Sequence, residues 1–236
     1  MKKYFFIFIF LFSFLILFAE NTTCEFPVSS SFFPVNMGNV WYYKAYKCNE
    51  PEKILKIRAD ISSTENIDGI EYYFFNAPSV EIRYLIRKDN SGVHLKAMKF
   101  PFPIFNFSIY VLFYPEFPMI KFPLLKGEKW NYKGKAEATI LGIFKITRDV
   151  SADFEVLKRD KVIVDAGRLD TYHIIVKVDE GDGKGIKIKK YWYAKNIGFT
   201  ISDNDNHKCE LAGYVVKSDT DGKERKKVPG VEEEYK

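Results

Sequence analysis

The sequence predicts an all-β protein: a large curved antiparallel sheet, an open half-barrel or a barrel, built from two similar halves. Three observations carry this. The chain of 236 residues holds 22 Phe, 15 Tyr, 14 Gly and 10 Pro, and aromatic side chains suit pleated, half-buried strands. Apolar and polar residues alternate with period two through successive segments, while no segment of the domain reads as a helix. Finally, a motif occurs twice at identical spacing, 89 positions apart: Phe33-Pro34-x-x-x-Gly38-x-x-Trp41-x-Tyr43 and Phe122-Pro123-x-x-x-Gly127-x-x-Trp130-x-Tyr132. In each copy Pro stops the preceding loop, Gly permits the turn, and Trp and Tyr share one face of the strand that follows. Gly38, Trp41, Tyr43, Gly127, Trp130 and Tyr132 are therefore structural candidates, as is Trp192.

Residues 20–31 are polar and Ser-rich, a loose lead-in to one domain over 32–217. The first half, 32–98, opens with a strand over Val40–Cys48 carrying Trp41, Tyr43 and Ala45 on one face. In 53–61, Leu55, Ile57, Ala59 and Ile61 oppose Lys56, Arg58 and Asp60, the pattern of a half-buried strand. Asp68-Gly69 is a tight-turn signal ahead of a strand over 71–75. Val80, Ile82, Tyr84 and Ile86 then share a face opposite Glu81, Arg83 and Arg87, and Asp89-Asn90-Ser91-Gly92 turns the chain into 93–98.

Residues 99–121 break the pattern. Phe100, Phe102, Phe105, Phe107, Phe113 and Phe117 are interleaved with Pro101, Pro103, Pro115 and Pro118. Proline cannot donate to a ladder, so the segment reads as an irregular crossover, with 104–113 as an edge strand. Two readings follow: Phe side chains that plug the core between the halves, or an apolar flap that contacts lipid or a hydrophobic ligand. Under the second, Phe102, Phe105, Phe107, Phe113 and Phe117 are the ligand-binding candidates.

The second half, 122–217, repeats the programme. A strand is expected over 130–137, and 139–157 is long enough for one bent strand or two, with Ala138, Ile140, Gly142, Phe144 and Ile146 on one face. Ala166-Gly167 turns the chain into a strand with Tyr172, Ile174, Val176 and Val178 opposite Thr171, His173 and Lys177. After a Gly-Asp loop over 179–185, Ile186, Ile188 and Trp192 alternate with Lys187 and Lys189. Asn196-Ile197-Gly198 turns, and 207–217 closes the domain. A weaker second correspondence aligns Arg83-Tyr84-Leu85-Ile86 with Lys190-Tyr191-Trp192-Tyr193, each followed by a Gly-apolar return. The count is roughly eleven to thirteen strands. Residues 218–236 are charged, with few apolar side chains, and are expected to be disordered.

The N-terminus reads as a secretory leader over 1–19: Met1-Lys2-Lys3, an apolar run from Tyr4 to Phe18, and Ala19 as a small residue for cleavage. About 15 apolar residues fall short of the ~20 that a retained membrane span needs. Lipid anchoring at Cys24 is disfavoured, because Asn21-Thr22-Thr23 lacks the aliphatic and small residues of a lipobox. The expected location is exported, periplasmic or extracellular in a bacterial envelope. Cys48 and Cys209, near the two terminal strands, are the disulfide candidates in that oxidising space, with unpaired thiols as the alternative.

Val164-Asp165-Ala166-Gly167-Arg168-Leu169-Asp170-Thr171-Tyr172, with Tyr191-Trp192-Tyr193-Ala194 and Gly198-Phe199, resembles a family of exported bacterial proteins of unknown function. Its members show the succession G-x-x-W-x-Y, AG-x-[FL]-D-T-Y, YWYA-x-x-x-G. The resemblance covers about 122–215, and 32–98 only through the repeat. It implies a curved antiparallel sheet like the open half-barrels of periplasmic lipoprotein carriers, and no activity. Those carriers lay helices over the concave face; this sequence has none to offer.

Few chemistries find support. The net charge of +5, or +3 without the leader lysines, is spread along the chain, which argues against nucleic acid as a partner. His94, His173 and His207 lie at no metal-pair spacing, and His173 reads as a solvated surface imidazole. No C-x-x-C, nucleophile elbow or P-loop occurs. Asp203-Asn204-Asp205-Asn206-His207 lacks the Gly and Glu of an EF-hand and reads as a turn. No catalytic residue, metal or cofactor is expected. The expected role is non-catalytic binding or carriage of a lipid-like ligand on a concave sheet, with contact to the membrane surface or envelope proteins. The alternative is a structural or protein-interaction module whose aromatics fill its own core.

Overall fold

A computed structural model describes residues 32–101, 107–140, 143–204, 206–218, 221–230 and 235; the leader, Cys24, Phe102 and Phe105 lie outside them. One antiparallel sheet runs in chain order through β1 (Val40–Lys47), β2 (Glu50–Ile67), β3 (Ile70–Ala77), β4 (Ile82–Asp89), β5 (Gly92–Pro101), β6 (Ser108–Lys121) and β7 (Lys129–Ile140). It continues through β8 (Phe144–Val164), β9 (Gly167–Asp179), β10 (Lys187–Ala194), β11 (Gly198–Asn204), β12 (His207–Lys217) and β13 (Glu224–Lys227). β1 also pairs with β12, from Val40 opposite Val215 to Lys47 opposite His207. That ladder closes a twelve-stranded barrel, with β13 outside it. Of the two expected shapes, the closed one forms.

The halves are six strands each, β1–β6 and β7–β12, and their likeness is geometric. Gly38 and Gly127 both have φ of 84°. Gly38 N–H donates to the Ile61 carbonyl at 2.9 Å and Gly127 N–H to that of Val156 at 2.8 Å. The Ile61 N–H returns a bond to Asn39 and the Val156 N–H one to Glu128. A bulge follows at the same place in each, between Ile61 and Ser63 and between Val156 and Lys158. The weaker correspondence holds too: the β4–β5 register shifts between Leu85 and Ile86, and the β10–β11 register shifts between Trp192 and Tyr193. In both motifs the indole and the phenol donate to backbone carbonyls, Trp41 to Ile197 and Tyr43 to Phe199, Trp130 to Pro118 and Tyr132 to Pro115. Phe33 and Val35, like Phe122 and Leu124, are buried in the barrel core.

Four expectations are corrected. The Phe-rich segment is no crossover: β6 is the sixth strand of the first half and pairs with both neighbours. Its prolines are tolerated because β7 pairs only with Tyr110–Tyr114 and the β5 ladder is itself broken there, its register shifting between Leu95 and Ala97 and again between Val93 and His94. The expected common face over 138–146 is cut by a turn: of one bent strand or two, two form, and Ile140 and Phe144 face one another in the β7–β8 ladder. The charged tail is partly ordered. β12 outruns its ladder with β11, and β13 satisfies the free backbone of Tyr214–Lys217, while Tyr235 packs edge-on against Tyr42 outside the β1–β12 seam. Cys48 and Cys209 are unbridged. Cys209 lies opposite Ala45, three residues or ~10 Å along the strand from Cys48, beyond the ~7 Å that a disulfide spans between Cα atoms.

Most inward positions are apolar, and the outward ones mix charged side chains with two small apolar clusters, around Leu85 and around Tyr42, in place of the continuous lipid-facing apolar band of a membrane-spanning barrel. Among the described residues no helix is long and apolar enough to cross a membrane. The seam depends on Asn39, which is 2% exposed. Its side-chain oxygen accepts from Lys217 N–H at 2.7 Å, and its amide donates to the carbonyls of Lys217 at 3.2 Å and Pro34 at 3.3 Å. Glu128 holds the same place in the second motif and faces no seam. Asn39→Ala is expected to cost about 2–3 kcal/mol, because it strands buried backbone groups, and Glu128→Ala less than about 0.5 kcal/mol. Urea unfolding of the two variants checks the contrast.

Candidate functional site: an apolar cavity inside the barrel

Eight strands make a barrel that side chains can fill or that holds one small ligand, while sixteen leave a channel. Twelve lie between, and the interior here is filled on one side only. Trp41, Tyr43, Ala59, Ile61, Leu211 and Val216 pack solidly between β1–β2 and β10–β12. Across the barrel a cavity of about 740 Å³ remains, within the usual range for small-molecule sites. Phe33 lies at the motif end, where its carbonyl accepts from the Lys88 ammonium at 2.9 Å. The wall is built from alternate residues of β4–β11: Tyr84 and Ile86, Leu95, Val111 and Phe113, Ala136 and Ala138, Val150 and Phe154, Val176 and Val178, Tyr191 and Tyr193. Burial holds the phenols of Tyr191 and Tyr193 neutral, well above the ordinary tyrosine pKa.

The far end, at the β5–β6, β7–β8 and β9–β10 hairpins, is where charge enters. Arg148, Glu180 and Lys189 are the charged residues of the lining. Lys189 donates to Glu180 at 2.9 Å, and Lys187 bridges Glu180 at 2.5 Å and Asp182 at 3.1 Å. Although partial burial opposes it, contact with the two ammonium groups lowers the Glu180 pKa. Large apolar side chains stand exposed beside this mouth: Ile143, Phe144 and Ile146 on the β7–β8 hairpin and Ile186 before β10.

Of the five phenylalanines singled out from the sequence, Phe113 and Phe117 line the cavity. Phe107 packs on the core at the start of β6, and Phe102 and Phe105 lie outside the described residues. Phe117 also contacts Tyr132 edge-on at 4.9 Å, while Trp130 stacks on Phe154 at 4.8 Å. Trp41 and Tyr43 belong to the solid side. β10 is inverted relative to its expected facing: Lys189, Tyr191 and Tyr193 point in, while Ile188 and Trp192 point out. The apolar face of β10 alone suggested otherwise, but its register with β9 sets Tyr193 beside Tyr172 and Trp192 beside His173. The β7–β8 turn preserves the alternation, so the face read as Ala138 to Ile146 continues inward through Arg148, Val150, Ala152, Phe154 and Val156; the sequence signal for Arg148 is its place two residues beyond Ile146. Burial pushes the Cys209 thiol up to about 12, so it is no nucleophile. Among the described residues no three potential metal ligands converge.

No family model matches the chain, and no curated protein matches it. Two solved structures are similar. One is a candidate lipoprotein from Parabacteroides distasonis ATCC 8503, with a TM-score of 0.47 and 14% identity over 78% of this chain and 98% of that one. The other is a candidate exported protein with a YmcC-like fold from Bacteroides fragilis NCTC 9343, with a TM-score of 0.45 and 13% identity over 78% of this chain and 99% of that one.

His173 departs from its expected setting. It faces outward, yet it is only 9% exposed, because Trp192 stacks on it at 4.1 Å and 12°. Among the described residues neither its two ring nitrogens nor the Trp192 indole has a hydrogen-bond partner. Burial depresses the His173 pKa, with Lys158 and Lys190 adding to the shift and Asp160 and Asp203 opposing it. The folded protein thus binds this proton less readily than the unfolded chain does. The stability His173 contributes is complete above its unfolded pKa of ~6.5 and is lost as pH falls. Thermal unfolding followed between about pH 7 and pH 5 is expected to show a larger fall in Tm for the wild type than for His173→Phe. Equal slopes would show that His173 is not the titrating group.

Proposed function

We propose that the protein is a non-catalytic carrier or binding protein of the cell envelope, holding the apolar part of a lipid-like ligand inside the barrel. The observation that carries this reading is the cavity: about 740 Å³ lined by aromatic and aliphatic side chains and reached past exposed residues at one end. A well-packed interior leaves few voids larger than a water molecule, so a purely structural role for the aromatics does not account for the space. Each methylene moved from water into such a lining gains about 0.8 kcal/mol. The envelope location rests on the leader, whose charged start, apolar run and small residue at the cleavage point are those of an exported chain. Relative to the expected concave sheet, the ligand surface is the inside of a closed wall.

The test uses an uncharged apolar fluorophore, N-phenyl-1-naphthylamine. Saturable enhancement at about one probe per chain is expected, together with co-purified lipid in native mass spectrometry. Ala138→Trp, which projects an indole from β7 into the void, is expected to weaken probe binding at least about tenfold. It should keep Tm within a few degrees, because the penalty for overpacking applies to filled cores. A protein that purifies clean and leaves the fluorophore dark would overturn the reading.

A further inference from the structure

We infer that the ligand is an amphiphile with an anionic head, carboxylate or phosphate, and that Arg148 receives the head while the apolar part descends toward Phe33. The inference rests on the binding reading above and adds a ligand class to it.

Charge bookkeeping at the mouth motivates it. Three cations share the inward face there: Arg148 on β8, and Lys187 and Lys189 on β10. Two carboxylates answer them. Glu180 takes Lys189 and Lys187, and Asp182 takes Lys187 again. Both acids are thus committed to lysines, and among the described residues Arg148 has no ion-pair or hydrogen-bond partner. The nearest other carboxylates point away. Val150 lines the cavity beside Arg148, so Asp149 between them faces outward, and Asp179 does so between Val178 and Glu180. Both instead flank a shallow depression on the outer wall, with Lys133 and Lys135.

Placement supplies the second argument. Arg148 is exposed, yet it stands in the inward series between Ile146 and Val150, at the border between water and an apolar interior. A guanidinium there offers a planar fork of donors to a carboxylate or phosphate, a bidentate match that a lysine cannot make. From Arg148 to Phe154, near the closed end, is six residues, or ~20 Å along the strand and ~15 Å along a tilted barrel axis. That depth suits one extended chain of medium length.

The experiment displaces N-phenyl-1-naphthylamine with dodecanoate, dodecyl phosphate and dodecanol, which share a tail and differ in the head. Wild type is expected to bind at least one anion about tenfold more tightly than dodecanol, about 1.4 kcal/mol. Which anion wins distinguishes a fatty acid from a phosphorylated lipid. In R148Q the anion and the alcohol should fall within about threefold of one another, and R148K should keep an intermediate preference. Wild type that binds all three equally, or R148Q that keeps the full preference, overturns the inference while leaving the binding reading intact. Failure of dodecanol and the fluorophore to bind at all removes both.

Discussion

The ladder between β1 and β12 is the constraint on which the rest depends. In a meander every strand is antiparallel to the next, so first and last can pair as antiparallel neighbours only when their number is even. Two copies of one unit always meet that condition. Closure then has a local requirement, that the last strand be tied where the first begins, and Asn39 meets it by taking both backbone groups of Lys217. Its amide stands in for one more rung of the ladder. Because the position is a variable one in the repeated motif, Glu128 can occupy the other copy, where the chain runs on from β6 and no seam exists.

Twelve strands have a volumetric consequence. The circumference is larger than core side chains can span, so some interior volume must be taken up by chain segments, by large residues or by something else. On one side Trp41, Tyr43 and Leu211 take it up. At the motif end Phe33, Val35, Phe122 and Leu124, delivered by the two Phe-Pro loops, occupy it. The remainder stays empty, and it is the apolar remainder, because alternation sends the charges of every strand outward except at the mouth.

Much of this was legible in the sequence. The duplicated Phe-Pro-x-x-x-Gly-x-x-Trp-x-Tyr stretch reports a duplicated turn with a left-handed Gly and a shared bulge, and Ile82–Ile86 and Tyr172–Val178 face as their alternation demands, while Val80 stands before β4 in a short 3-10 turn. The misreadings share a cause: facing is a property of the ladder, and a strand read alone cannot reveal it. β10 carries aromatics on both faces, so its apolar residues do not say which side is in; pairing with His173 and Tyr172 does. His173 looked solvated for the same reason, since the Trp that covers it lies nineteen residues on, in the next strand. In β6 the prolines signalled irregularity correctly but could not show its form, two register shifts against β5 and an early end to the β7 ladder.

The two copies are alike where they build the barrel and unlike where the cavity opens. β1 and β3 are 8 residues long, but β7 has 12 and β9 has 13. Counted from the motif tryptophan, Lys47 at the end of β1 corresponds to Ala136, and β7 runs on from there to Ile140. Arg148 pairs with Ala136, at the level where the shorter copy stops. Ala138, Ile140 and Ile146 thus belong to the length that the second copy has in excess, with Arg148 at its base, and that excess forms a raised lip on one side of the mouth. The shared motif explains why there is a barrel. The lip beside the proposed head-group position lies in the part of the second half that the first half does not repeat.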